Sequence, residues 1–119
     1  MSKNIKIEYL WRDRKRHFGL PLSFTTYSIS DDRLFIKTGM LNERQEETLL
    51  YRIKDITMTR SLWQRIFGVG SVILNTNDDS SPRIVLKNIK NTESIKELIH
   101  SNVEKAKNQR GLAVTEIYQ

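Results

Sequence analysis

Apolar and polar residues alternate with a period of two along most of the chain, and the period lengthens briefly at residues 61–70 and lastingly near residue 90. Alternation of this kind, broken by turn residues, predicts short strands that each bury one face. Residues 5–11 alternate loosely and predict a first strand. A bend follows at Phe18, Gly19, Leu20 and Pro21, because proline removes a ladder donor. Residues 22–30, rich in Thr, Phe, Tyr and Ile, predict a second strand. Asp31-Asp32 is a tight polar turn. In the return strand, residues 33–38, Leu34 and Ile36 share one face and Phe35 and Lys37 the other. Gly39 permits the next reversal. Residues 43–50 start polar and enter the core at Leu49 or Leu50. Residues 54–60 place Ile56 and Met58 on one face, and residues 71–76 alternate through Val72, Leu74 and Thr76. The cluster at residues 77–82 is a plain turn. Residues 83–87 close the series with Ile84 and Leu86 on one face and Val85 on the other. If the sheet has one wet face, Phe35, Ile73 and Val85 lie on it, and exposed neighbours of that kind would mark an interface.

Two segments break the strand period. Residues 61–70 read as one short helical turn, opened by Ser61 and closed by Gly68 or Gly70 in a left-handed conformation, feeding the next strand. This turn should bury Leu62, Ile66 and Phe67. Trp63 either plugs the core beside this turn or, because one turn cannot bury all its sides, points outward with Arg65 as a protein-contact pair. The second segment is a helix from Asn91, a favourable N-cap with Glu93 at the positive end of the dipole. Ile95, Leu98, Ile99, Val103 and Ala106 fall on one face of it, and Gly111 should end it. The expected organisation is one domain over residues 1–110 and a short flexible tail over residues 111–119.

Charge adds one feature. Lys and Arg number 20 against 14 Asp and Glu, a net charge of +6, and half of that excess sits in residues 12–16. Arg12, Arg14, Lys15 and Arg16 could meet an anionic surface, at roughly 1 kcal/mol per cation. A solvated basic strand end is the plainer account. Nucleic acid is disfavoured as a partner, since no recognition helix or aromatic platform accompanies the charge. The chain has no cysteine, which excludes disulfides and thiolate metal sites. His17 and His100 are far apart and give no metal-ligand spacing. Asp78-Asp79 suits a turn, and Glu43, Glu46 and Glu47 suit an exposed strand. No nucleophile elbow, phosphate loop or dinucleotide fingerprint occurs. No catalytic residue, metal or cofactor is therefore expected. No apolar run approaches the ~20 residues of a membrane span, and the N-terminus lacks a signal-peptide core. A cytoplasmic protein, at most peripheral to the membrane, is expected.

Several of these segments together resemble the bacterial pleckstrin-homology-like (PH-like) domain family, long catalogued as a domain of unknown function. They are residues 27–39, residues 46–56, the turn at residues 61–70, and residues 84–91 running into the helix. The likeness covers roughly residues 22–107, and Trp11 to Arg16 with Phe18 to Pro21 resemble a subset of stand-alone members. It implies a mainly β PH-like roll: a strongly bent antiparallel sheet of about seven strands capped by one C-terminal α-helix. It carries over no catalytic residues. The expected function is a non-catalytic scaffold or adaptor that binds a protein partner at a sheet edge or beside the helix. Open strand edges also allow self-association. The alternative is weak, salt-sensitive binding to anionic membrane through Arg12, Arg14, Lys15 and Arg16.

Overall fold

The computed structural model describes residues 8–16 and 23–117, with side chains to Gly111. The bend at Phe18 to Pro21, His17 and residues 5–7 lie outside the described residues. Among the described residues seven strands form: β1 (Trp11–Arg14), β2 (Thr26–Ile29), β3 (Arg33–Thr38), β4 (Arg44–Leu49), β5 (Ile53–Thr59), β6 (Gly70–Thr76) and β7 (Arg83–Ile89). Helix α1 (Leu62–Ile66) sits between β5 and β6, and α2 (Thr92–Ile117) follows β7. This is the mainly β architecture with a C-terminal helix that the PH-like resemblance implies. Hydrogen bonding divides the strands into two antiparallel sheets, β1-β2-β3-β4 and β5-β6-β7.

The inner faces of the two sheets share one core. Tyr27, Ile29 and Leu34 enter it from the first sheet, and Ile53, Val72, Leu74, Ile84, Leu86 and Ile89 from the second. Leu50, in a 3-10 turn between β4 and β5, is fully buried beside them. Helix α2 closes the core with Ile95, Ile99 and Val103, while Leu98 and Ala106 pack at its margin. Each such side chain contributes roughly 1.5–3 kcal/mol on burial, before entropy. The sheets are also tied by polar bonds. The Tyr27 hydroxyl, buried on β2, accepts from the Lys87 N–H of β7 at 3.1 Å. Asp13 Oδ2 of β1 accepts from the Lys90 N–H at 3.2 Å, and the Arg16 N–H donates to the Asn88 carbonyl at 3.0 Å.

The structure moves three expectations. The first described strand is residues 11–14, so the basic cluster begins inside β1 and does not follow it. Alternating Arg and Asp can occupy a strand because one face of β1 is open to solvent. Helix α2 runs through Gly111 to Ile117. Glycine costs a helix only about 1 kcal/mol, and no proline follows to break it. Phe35, Ile73 and Val85 do lie opposite the core, but they do not make one patch. Phe35 is on the outer face of the first sheet and half-covered, and Ile73 pairs with exposed Val85 on the second.

Candidate functional site: an inverted helix at the β5–β6 connection

Helix α1 is short enough that its ends decide its stability. Ser61 caps it: its hydroxyl accepts from the Gln64 N–H at 3.2 Å, and the Gln64 side-chain oxygen accepts from the Ser61 N–H at 2.9 Å. This reciprocal capping box satisfies two otherwise orphan donors. At the other end Gly68 takes φ +68°, as a left-handed turn back into a strand requires. Its N–H donates to the Arg65 carbonyl at 3.2 Å, and the Val69 N–H to the Gln64 carbonyl at 2.9 Å, the paired bonds of a Schellman stop. Gly70 is needed for a different reason. An added Cβ there would lie 2.7 Å from Thr92 Oγ1, at the start of α2.

The helix turns its polar side inward. Gln64 Nε2 donates to Ser71 Oγ at 2.9 Å and to Asn88 Oδ1 at 2.8 Å. Asn88 can receive it because β7 bulges there: two residues, Lys87 and Asn88, lie opposite Ser71, and Asn88 takes φ +57°. The apolar side of α1 is left in solvent. Leu62 is 72% exposed, Trp63 69% and Ile66 61%. Ile66 lies four residues after Leu62 and three after Trp63, the spacings that make neighbours on a helix surface, so it links the three side chains into one patch. The expected burial of Leu62 and Ile66 is overturned, and only Phe67 is half-buried. The reason is steric and polar together. Gln64, pinned to two strands, occupies the inward face and leaves the apolar residues no route to the core.

Trp63 and Arg65 are both exposed, as the sequence allows. Arg60 and Arg65 line a shallow depression beside α1 with Gly68 and Asn91. The surface is thus an apolar ridge with cations at its base. Leu62, Ile66, Gln64 and Asn88 are absent from the sequence-based site. The signal for the first two is the apolar spacing itself, read with the opposite sign. No local signal marks the Gln64–Asn88 bond, which spans 24 residues.

The basic cluster is not one surface. Arg12 and Arg14 are exposed on the outer face of β1. Asp13 turns the other way, and its Oδ1 holds Arg16 Nη2 at 3.2 Å. Lys15 and Arg16 are half-buried. A further groove runs between terminal strand β5 and α2, lined by Ile53, Ile56, Lys96, His100, Val103 and Lys107. Its charge is mixed, with Asp55 and Glu104 also on its walls. Among the described residues no cluster of His, Asp or Glu could hold a metal ion, and no helix is long and apolar enough to cross a membrane.

Searches of curated proteins and of solved structures returned no match. The family model for the bacterial PH domain matches residues 19–103. That span holds six of the seven strands, α1 and the core-facing half of α2. The chain belongs to the bacterial PH domain family.

Proposed function

We propose that this PH-like chain is a non-catalytic interaction module that docks a protein partner through α1. One observation carries the reading: a capped helix held by its polar side presents Leu62, Trp63 and Ile66 to solvent. A fold gains nothing in its own core from that orientation, whereas contact with a partner would bury all three. Clustered exposed apolar residues of this size mark contact surfaces, and tryptophan with arginine is enriched among the residues that dominate binding energy. Arg60 and Arg65 at the base favour a partner groove with an acidic rim. Their positive charge also disfavours the same face of a second copy.

The same ridge would suit an anionic bilayer, with Trp63 at the interface and arginines at headgroup level. One experiment separates the two. A photo-crosslinking amino acid is placed at position 63 in the full chain in bacterial cells, with Leu41, exposed on a distant turn, as control. A discrete protein adduct from position 63 and none from position 41 supports the reading. Lipid adducts alone, or the same adducts from both positions, would overturn it.

A further inference from the structure

A second feature is independent of α1. Cross-strand pairing puts Arg12, Ser28 and Phe35 in one row on the outer face of the first sheet, and Arg14, Thr26 and Lys37 in the next. Opposed side chains in such rows have Cβ atoms roughly 4.5–5.5 Å apart, close enough to share one ligand. Tyr9 covers the row. Its ring meets Phe35 edge-on at 5.8 Å, and the Arg12 guanidinium lies 4.7 Å from its centroid. Between them opens a cleft of about 120 Å³ lined by Tyr9, Arg12, Thr26, Ser28, Phe35 and Lys37, with Ile36 and Gln45 completing it. That is several times the roughly 30 Å³ share of one water.

Two properties of the lining point to an anion. It contains two cations and no carboxylate. Glu43 pairs with Lys37 from outside the cleft at 2.8 Å, and Glu47 pairs with Arg33 at 2.9 Å. The second property is Ser28. It is only 5% exposed, lies opposite the core, lines the cleft, and its hydroxyl makes no hydrogen bond among the described residues. Its oxygen is open to the cleft and not sealed in the core, so solvent satisfies it there and a ligand would take the solvent's place. That place has the Thr26 hydroxyl two residues along the same face and Arg12 directly across.

We propose that this outer-face cleft binds a phosphoryl group. Arg12 supplies the fixed charge and a guanidinium edge, Ser28 and Thr26 donate hydroxyl hydrogen bonds, and Lys37 closes the rim. A tetrahedral dianion offers several acceptor oxygens to these convergent donors, which a planar carboxylate does less well. The aromatic wall of Tyr9 and Phe35 excludes water from one side and strengthens the bonds. The group could be carried by a soluble phosphomonoester or by a lipid headgroup.

The test is a titration of the isotope-labelled full chain with inorganic phosphate, at constant ionic strength set by chloride, followed by amide chemical shifts. Saturable shifts centred on Tyr9, Arg12, Thr26, Ser28 and Lys37 are expected, with acetate giving none. Arg12→Gln should weaken binding about tenfold, the loss of one charge-assisted hydrogen bond. Ser28→Ala should weaken it several-fold with little effect on folding. Arg44→Gln, an equal loss of charge on β4 away from the cleft, should leave it unchanged. Glycerol phosphate and phosphatidic acid vesicles then separate the two sources. Binding to either that Arg12→Gln and Ser28→Ala both reduce supports the site. Absence of saturable shifts with phosphate, glycerol phosphate and vesicles alike overturns it. So does binding that Arg44→Gln reduces as much as Arg12→Gln, or that Ser28→Ala leaves intact.

Discussion

Helices α1 and α2 are built on opposite plans. Helix α2 puts Ile95, Ile99 and Val103 into the core and its charged residues into water. Helix α1 puts Gln64 against the sheets and Leu62, Trp63 and Ile66 into water. An isolated helix of 5 residues has no stability of its own. The capping box, the Schellman stop and the bonds from Gln64 replace the apolar burial that holds α2. The contrast separates two uses of an apolar face. On α2 its free energy is realised in folding, and on α1 it remains available for association.

The sharpest break of the comparison is to truncate each apolar face in turn. Ile99→Ala removes a fully buried side chain from α2 and should cost about 2–5 kcal/mol in chemical denaturation. Next come the glycines that return α1 to the sheet. Gly70→Val drives a branched side chain into Thr92 and should cost about 1–3 kcal/mol or more, since the neighbour is the first turn of α2. Gly68→Val meets open space but must hold φ +68°, and should cost more than about 1 kcal/mol. Two wild-type denaturation curves would sink this account of the turn.

Tyr27→Phe reaches the bulge beneath α1 without touching α2. It leaves the Lys87 N–H without its acceptor and should cost about 1–3 kcal/mol. It also has a pH signature. Burial pushes the Tyr27 phenol above its ordinary value, and the Lys87 bond offsets part of that shift. A raised folded value means the folded state keeps a proton that the unfolded state releases. The contribution is therefore full below the ordinary phenol value of about 10 and is lost as pH rises through the folded value. Stability measured between neutral and strongly alkaline pH should fall less steeply in Tyr27→Phe than in the wild type. An identical alkaline slope would remove the linkage.

Gln64→Ala deletes half of the capping box and both inward bonds, and should cost about 1 kcal/mol. Its larger effect should be on crosslinking from position 63, because α1 loses the contact that orients it. The smallest stability effect belongs to the apolar face of α1. Trp63→Ser should stay within about 0.5 kcal/mol of wild type, as for exposed sites generally, while abolishing partner contact. A cost as large as that of Ile99→Ala would show that α1 is packed in solution and end the comparison.

Most of the fold is legible in the sequence. The turns at Asp31-Asp32, Gly39 and residues 77–82 mark the hairpins, and the period change after residue 88 marks α2. The same segments carry the PH-like family resemblance. The candidate site was legible only in part. Pattern alone points to Trp63 and Arg65 but places Leu62 and Ile66 in the core, because apolar residues on a helix face are usually buried. The basic residues at 12–16 read as one cluster. Strand alternation instead sends Arg12 and Arg14 outward, while Asp13 draws Arg16 back.

By itself, then, the sequence determined the order of the elements, the faces of the strands and the existence of two amphipathic helices. Periodicity can do this because it compares each residue only with its neighbours along one axis. It cannot tell which way a helix is rolled on the rest of the protein. That depended on contacts between distant residues: Gln64 with Ser71 and Asn88, Asn88 in a left-handed bulge, and Gly70 against Thr92. The tertiary structure alone decided that the polar side of α1 faces inward, because only there do buried hydrogen-bond partners exist for it.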